Sequence, residues 1–454
     1  MKLTLQEMAT AINAEIINAA DVAVTSTTFD SRKAEAGSLF VPLVAANDGH
    51  DYVASAVANG ATVTLWQADH PNVPTDVPTL VVADTLVAFQ QLAVYYLKQV
   101  QPKVVAISGS NGKTTTKDFV AAIGASTFKT VKTPANFNNE IGVPTTILSM
   151  PADTELLVIE FGMDRPGDLT FLSEMVHPDI AVLTMIGEAH IEFFKTRERI
   201  ADGKMEIIAG LQPNGVLVYN GDEPLLRERA GQHAFLHTAT FGLNPDNDLY
   251  ASTIAMNPVG ATFQTDKSAM TYHIPLTGRY NVSNALAAIS VGILLGISDD
   301  KIAQALAEAP ITENRTEWLA GNFGGKILSD VYNSNPTAAK EVLHFFAETP
   351  VTGRRIAVLG DMLELGEAGP ALHASLAEKL DPATIQHVYL VGDIMASLED
   401  ALSVNYPAGT VKRYSKDDKA TLIADLQADL TADDAVLLKG SHGIHLEEVV
   451  TALV

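Results

Sequence analysis

A short β-rich run followed by a longer helix-like stretch recurs along this chain from end to end, and that alternation confines it to α/β layers with mostly parallel sheets. The runs fall into three groups. Leu39 to Leu43, Ala61 to Trp66 and Thr79 to Ala83 form the first, closed by a helical segment from Leu86 to Gln99 whose Leu86, Phe89, Leu92, Ala93 and Tyr96 keep helical spacing. Val104 to Ile107, Leu156 to Phe161, Ile180 to Met185 and Gly215 to Tyr219 form the second, which ends in a long helix from Asn281 to Leu295. Lys326 to Val331, Arg355 to Leu359, Val388 to Val391 and Ala435 to Leu438 form the third. At about 150 residues per domain, 454 residues predict three domains. They are a small α/β N-terminal domain over 1–100, a central mononucleotide-binding parallel sheet over 101–312 and a Rossmann-like C-terminal domain over 313–454.

Composition narrows the function. A net charge of −24, with no run of basic residues to interrupt it, makes nucleic acid and anionic membrane surfaces poor partners. The chain has no cysteine, which rules out thiolate nucleophiles, disulfides and Cys-based metal sites, so its chemistry runs on oxygen and nitrogen groups. Gln6 and Glu7 interrupt what a signal peptide needs as an apolar core, and the near-apolar run Ala285 to Ile297 is too short to span a bilayer. The expected location is the cytoplasm, without membrane insertion.

Between Val104–Ile107 and a helix carrying Phe119, Val120 and Ile123 lies Ser108-Gly109-Ser110-Asn111-Gly112-Lys113-Thr114-Thr115-Thr116. Two glycines let several backbone N–H groups turn toward one point, the helix N-terminus adds its dipole, Lys113 neutralises phosphate charge and the Thr114 hydroxyl suits Mg2+. This makes the central sheet a P-loop sheet for a nucleoside triphosphate such as ATP. The usual loop has four residues between its first glycine and Gly-Lys, whereas here only Ser110 and Asn111 intervene. A tight turn with Lys113 as a surface cap is the plainer alternative for such a loop taken alone.

Ligands of open α/β sheets lie outside the carboxyl ends of the strands, and those ends are polar here. Glu160 closes one strand, Gly187-Glu188-Ala189-His190 follows a second and Asn220-Gly221-Asp222 a third. Glu160 and His190 suit a hard cation beside a triphosphate, or serve as a solvated carboxylate and a loop histidine. From Arg197 a helical stripe places Ile200, Ile207, Ile208 and Leu211 at offsets 0, 7, 8 and 11, and offset 4 is Lys204. A lysine on an apolar stripe either reaches water along its stem or meets a partner; the sharper alternative is a carbamylated amine, which binds a second Mg2+ as a carboxylate.

These motifs together resemble the ATP-dependent Mur ligases of bacterial peptidoglycan synthesis, over nearly the whole chain. The abbreviated Gly-Ser-Asn-Gly-Lys-Thr-Thr loop is that family's own form, with Ser110 where Thr is more usual. Asn136-Phe137-Asn138-Asn139-Glu140-Ile141-Gly142-Val143-Pro144, Glu160-Phe161-Gly162-Met163 and Ile186-Gly187-Glu188-Ala189-His190-Ile191-Glu192 also match. Asp330-Val-Tyr-Asn333-Ser-Asn335-Pro336, Gly360-Asp361-Met362-Leu363-Glu364-Leu365-Gly366 and Lys439-Gly440-Ser441 are typical of the branch that adds D-alanyl-D-alanine, while the Asp-Asn-Pro-Arg stretch of the branch adding diaminopimelate or lysine is missing. His442 departs from the arginine more often found after Lys-Gly-Ser.

The resemblance implies a set of roles. Gly109, Ser110, Asn111, Gly112, Lys113, Thr114 and Thr115 would hold ATP phosphates, with Asn281 and Asn284 near adenine, Arg315 contacting ATP and Asp330 on the ribose. Lys113, Glu160, His190 and Lys204 would be catalytic; Thr114, Glu160, His190 and carbamylated Lys204 would hold two Mg2+ ions. Ser31 and Arg32 in the N-terminal domain, together with Asn136, Asn138, Asn139, Asn333, Asn335 and Lys439, would bind substrate. Without the resemblance Asn333 and Asn335 read as turn residues before Pro336. The implied reaction joins D-alanyl-D-alanine to UDP-N-acetylmuramoyl-tripeptide through an acyl phosphate, in a monomer whose C-terminal domain binds the incoming dipeptide and closes over ATP. Two enzymatic alternatives are a folylpolyglutamate synthase, which should lack the domain before the loop, and a simple P-loop kinase. A regulatory protein that binds ATP without turnover is the non-enzymatic one.

Overall fold

The structure, a computed structural model, describes residues 1–234, 236–257, 260–310 and 315–454. The expected boundary at 312/313 falls outside the described residues. Among those described, the strands gather into three large sheets and a two-stranded ribbon of Leu3–Thr4 with Ala23–Val24. The first sheet runs in the order Glu15–Ile17, Thr79–Val82, Val63–Gln67, Ser38–Phe40, Ser26–Thr28, parallel except for its antiparallel Glu15–Ile17 edge. Helix Thr85–Val100 packs Phe89, Leu92, Ala93 and Tyr96 inward, as the periodicity predicts.

The central sheet has nine strands. Its parallel part is ordered His237–Gly242, Val216–Asn220, Ile180–Leu183, Lys103–Ser108, Leu156–Glu160, Thr130–Lys132. Val104 to Ile107 and Leu156 to Glu160 are buried without interruption, because helices cover both faces of a parallel sheet. Strands Leu156–Glu160 and Ile180–Leu183 flank Lys103–Ser108 on opposite sides, so the chain reverses direction across it. That reversal opens a crevice at the carboxyl ends, directly where residues 109–112 leave the sheet.

The third sheet is ordered Glu317–Ala320, Lys326–Asp330, Ala435–Lys439, Arg355–Gly360, His387–Val391, Val411–Tyr414, all parallel except the first. The molecule is a three-domain α/β protein.

Two expectations need correction. The Lys204 segment is not one helix through Leu211: the α-helix Arg197–Met205 passes into a 3₁₀ turn, Glu206–Ile208. The inward stripe survives as Ile200, Lys204 and Ile207, all buried, while Ile208 is half-buried. Beyond Val216–Asn220 the central sheet also continues through four strands that the sequence reading left out, His237–Gly242, Leu249–Asn257, Gly260–Thr265 and Tyr272–Ile274. Leu249–Asn257 and the two after it pair antiparallel at the sheet's edge; Leu249–Asn257 is exposed or half-buried after Ala251, and Gly260–Thr265 mixes buried with half-buried residues, so they show no continuous buried apolar run.

Candidate functional site

The phosphate loop is shaped by two glycines that no other residue could replace without displacement. Gly112 sits at φ +80 as the N-cap of helix Lys113–Ala125 and makes no side-chain cap, so the first N–H groups of that helix face the crevice. A Cβ on Gly112 would stand 2.3 Å from Asn284 Oδ1, and one on Gly109 (φ +149) 1.9 Å from Thr184 Oγ1. Thr184 Oγ1 donates to the Asn111 carbonyl at 2.5 Å, and Ser110 N–H to the Met185 carbonyl at 2.9 Å, so the residues that leave strand Ile180–Leu183 brace the loop. A side chain at Gly112 must adopt a left-handed backbone, at about 1–2 kcal/mol, and push Asn284 aside. Gly112→Ala is therefore expected to weaken ADP binding at least tenfold by calorimetric titration. Gly231→Ala, in open space, serves as the unaffected control.

A cleft of about 710 Å³ opens above the loop. It is lined from the central sheet by 110–115, Asn136, Asn138, Glu160, His190, Asn281 and Asn284, and from the C-terminal sheet by Arg315, Asp330, Asn333 and Lys439. Glu160 is 2% exposed; its Oε2 accepts from Thr114 Oγ1 at 2.9 Å and its Oε1 from Asn138 Nδ2 at 2.8 Å. This hydroxyl and carboxylate, side by side with the second oxygen held by an amide, are the donor set a hard dication takes. Asn281 and Asn284 form a short ladder on helix Arg279–Leu294, Asn284 Nδ2 donating to Asn281 Oδ1 at 3.2 Å. Lys439 Nζ donates to Asp330 Oδ2 at 2.6 Å and to the Asn333 carbonyl at 2.9 Å. Arg315 lies 4.1 Å over the Tyr332 ring.

Two amines flank the carboxylate, Lys113 half-buried and Lys204 buried. Lys113 Nζ donates to the Gly109 carbonyl at 2.9 Å; burial lowers its pKa, and Glu160 opposes that shift. Lys204, 2% exposed, lies beneath the loop with Nζ 3.3 Å from Ser108 Oγ, and its pKa is driven well below the usual lysine range by burial and then by the charge of Lys113. The snorkelling alternative for Lys204 fails, because its stem ends inside the protein. A neutral amine beneath a phosphate loop is a nucleophile; protonated, it would repel any cation there. The second-cation residues therefore fit Mg2+ only with Lys204 carried as a carbamate.

Other expected site residues stand apart from the cleft. Asn335 caps helix Pro336–Glu348 and exchanges hydrogen bonds with Asn111, Nδ2 to Oδ1 at 2.8 Å and 3.1 Å in the two directions, so both carboxamides are committed to each other. Asn139 Oδ1 accepts from Gly142 N–H at the start of a helix. Ser31 begins a 3₁₀ turn capped by Asp30, and Arg32 is exposed and paired with Asp30. His442, which departs from the family's arginine and has no expected site role, is exposed and stacks on Tyr332 at 6.0 Å.

Apart from His190, the sequence reading gave no role to the residues that join the two halves of the cleft. Glu188 accepts from Thr337 N–H at 3.1 Å and Thr337 Oγ1 at 2.7 Å, Tyr280 Oη lies 2.9 Å from Thr316 Oγ1, and His190 Nδ1 lies 2.7 Å from Glu364 Oε2. His190 holds the Glu364 carboxyl below its usual range. Glu188 and Glu364 stand within motifs already singled out; their partners, on another domain, left no local signal.

A phosphate loop at the turning point of a parallel sheet, faced across a polar cleft by a second Rossmann-like sheet, places the protein among P-loop nucleotide-binding proteins. Residues 107–292 match the Mur ligase middle domain and residues 314–442 the glutamate ligase domain of Mur ligases. The chain belongs to the Mur ligase family. It is 37% identical over 427 residues to the UDP-N-acetylmuramoyl-tripeptide--D-alanyl-D-alanine ligase of Bacillus subtilis, covering 94% of this chain and 92% of the relative. The crystal structure of MurF from Acinetobacter baumannii superposes with a TM-score of 0.90 at 28% identity, over 99% of this chain and 98% of that one. MurF ligase from Thermotoga maritima in complex with ADP gives 0.83 at 28% identity, over 94% and 97%. Among the described residues no helix is long and apolar enough to cross a membrane.

Proposed function

We propose that this protein is an ATP-dependent ligase that joins D-alanyl-D-alanine to UDP-N-acetylmuramoyl-tripeptide, forming the UDP-linked pentapeptide of peptidoglycan synthesis. The observation that carries the reaction type is the Lys113, Thr114 and Glu160 cluster at the mouth of the phosphate loop, with buried Lys204 below it. The likeness to the B. subtilis ligase over most of both chains supports the substrates.

A carboxylate resists attack by an amine because oxide is a poor leaving group. Its oxygen instead attacks the γ-phosphorus of ATP, the bond to the bridging oxygen breaks and ADP leaves; the dipeptide amine then attacks the acyl carbon and phosphate leaves. The first step brings two anions together in a protein of net charge −24, so positioning and local positive charge dominate. Lys113 leaves the Gly109 carbonyl to meet the β- and γ-phosphates, while the N–H groups behind Gly112 hold them. Asn138 keeps Glu160 turned toward Thr114. Mg2+ would be held by Thr114 and Glu160 and, as a second ion, by His190 and carbamylated Lys204, and would supply charge neutralisation and Lewis acidity.

Arg315 and Asp330 act on ATP from the C-terminal domain, which takes the dipeptide and closes over the nucleotide, excluding water from the acyl phosphate. Ser31 and Arg32 would engage the UDP-sugar from residues 1–100, and Asn136, Asn138, Asn139, Asn333, Asn335 and Lys439 the peptide, Asn335 after parting from Asn111. The enzyme acts as a cytoplasmic monomer, in the compartment that supplies ATP.

The test is ADP release in magnesium and bicarbonate. Release should require both UDP-muramoyl tripeptide and D-alanyl-D-alanine and should be lost when folate and glutamate replace them. Release with folate and glutamate alone, or none from folded protein with both peptide precursors, overturns the reading.

A further inference from the structure

Glu364 occupies a position that no nucleotide contact explains. It lies in the loop after strand Arg355–Gly360, at φ +62, a left-handed conformation that a non-glycine residue keeps only where its surroundings impose it. The base of that loop is fixed from within the C-terminal domain. Fully buried His373 accepts from Met362 N–H at 2.8 Å, Ser441 Oγ accepts from Leu363 N–H at 2.9 Å, and Asp361 accepts from Met395 N–H at 2.9 Å. The tip, by contrast, meets the central domain. Glu364's carbonyl accepts from Glu192 N–H at 3.1 Å, and a Cβ on Gly366 would stand 3.1 Å from Glu192 Cγ, a contact tight enough that the Glu192 side chain would have to shift.

Between these anchors the Glu364 carboxylate comes to 2.7 Å from His190 Nδ1, with Asp164 Oδ1 on the same nitrogen at 3.4 Å. It is a close charge contact and not an aligned hydrogen bond. Two carboxylate oxygens facing Nδ1 disfavour a lone pair there and favour the proton, which leaves the Nε2 lone pair for a cation. The two carboxylates differ in origin: Asp164 belongs to the central domain and is there at all times, whereas Glu364 arrives only with the C-terminal domain.

We propose that Glu364 is a positioning residue for His190, supplied across the cleft, so that the cation-binding form of His190 is completed only when the C-terminal domain docks on the central one. The consequence is an order of events: domain docking and cation binding at His190 favour each other, and the cleft is not armed while it is open. By linkage, a cation at His190 must also favour the docked form by the same factor. This inference rests on His190 holding a cation, as in the function proposed above.

The test uses the whole enzyme with ADP and Mn2+ as a probe, bound Mn2+ being counted by electron paramagnetic resonance and domain docking by small-angle scattering. Outer partners of metal-binding histidines typically contribute 10–100-fold in affinity, so Glu364→Gln should weaken one class of Mn2+ site at least tenfold and lower kcat while KM for ATP changes little. Glu364→Asp should recover part of the loss. Glu188→Gln, which removes the charge from the clasp on Thr337 and weakens it without touching Glu364, should weaken the same Mn2+ site in proportion to the docked fraction it loses.

Unchanged Mn2+ affinity in Glu364→Gln, or a Glu188→Gln enzyme that opens yet binds Mn2+ as before, overturns the proposal. His190→Ala separates this from the underlying reading: if it leaves both Mn2+ sites intact, the assignment of His190 fails, and the positioning role with it. An enzyme that binds Mn2+ as expected but releases no ADP with the peptide substrates overturns the proposed reaction alone.

Discussion

Lys204→Ala should lower kcat about 10³-fold, in the range found when a preorganised charge is removed from an active site, while the enzyme stays folded and binds ADP within a few-fold of its normal affinity. The expectation follows from where the amine sits. An ordinary lysine with a pKa near 10.4 is neutral in only about one molecule in a thousand at pH 7.4, too few to react with CO2. Burial and the Lys113 charge remove that obstacle by lowering the pKa of Lys204 well below its usual value. On the function proposed above, the neutral amine would add to CO2, forming the N–C bond and releasing one proton, and a site unfit for a cation would become an anionic ligand.

The sign with pH is fixed. Because the folded-state pKa lies below the unfolded one, folding releases a proton from Lys204. That contribution to stability is complete only above the unfolded pKa and is lost progressively as pH falls from there through the folded pKa. Carbamate occupancy follows the same direction, rising with pH and with bicarbonate. Enzyme stripped of CO2 should be slow and should recover on adding bicarbonate, with a carbamate resonance appearing in ¹³C NMR when the bicarbonate is labelled. Lys204→Ala should show neither effect and should regain part of its activity with formate or acetate. Full activity in CO2-free buffer would rule out the carbamate.

How much of this was legible in the sequence depends on what kind of contact each residue makes. Strands such as Val104 to Ile107 and Leu156 to Glu160 announce themselves because a parallel sheet covered on both faces needs an unbroken apolar run. Of the antiparallel edge strands, Leu249–Asn257 ends in a largely exposed stretch and Gly260–Thr265 mixes buried with half-buried positions, so they leave a weak signal. Lys204 was legible for the opposite reason: a charge in an apolar stripe violates the pattern, and sites of chemistry are where such violations are kept. The helix break after Met205 did not hide it, since a 3₁₀ turn carries the stripe on by about one turn.

The glycine loop is a local device, so its chemistry can be read from a few consecutive residues. Glu364, Asn335 and Glu188 act on partners that only the folded chain brings near. Asn335 shows why: read alone it is a turn residue before Pro336, and only the folded chain shows its amide paired with that of Asn111. No spacing rule reports a contact between domains.

Lys113→Met tests how the two lysines work together. Its first effect is direct: the β- and γ-phosphates lose their nearest positive side chain, and kcat/KM for ATP should fall about 10³-fold. Its second effect falls on Lys204, for which the Lys113 charge is the second-largest cause of the lowered pKa. With that repulsion gone the Lys204 amine keeps its proton to higher pH. Once carbamylated it also lacks the cation that would stabilise its new negative charge. Both changes lower carbamate occupancy, so the labelled-bicarbonate resonance of Lys113→Met should require higher pH and more bicarbonate than that of the unaltered enzyme. Repulsion before carbamylation and attraction after it come from the same ammonium, so the substitution penalises the modified state from both sides. If Lys113→Met lost activity with carbamate occupancy unchanged at every pH, the two amines would be electrostatically independent, and the depressed pKa of Lys204 would rest on burial alone.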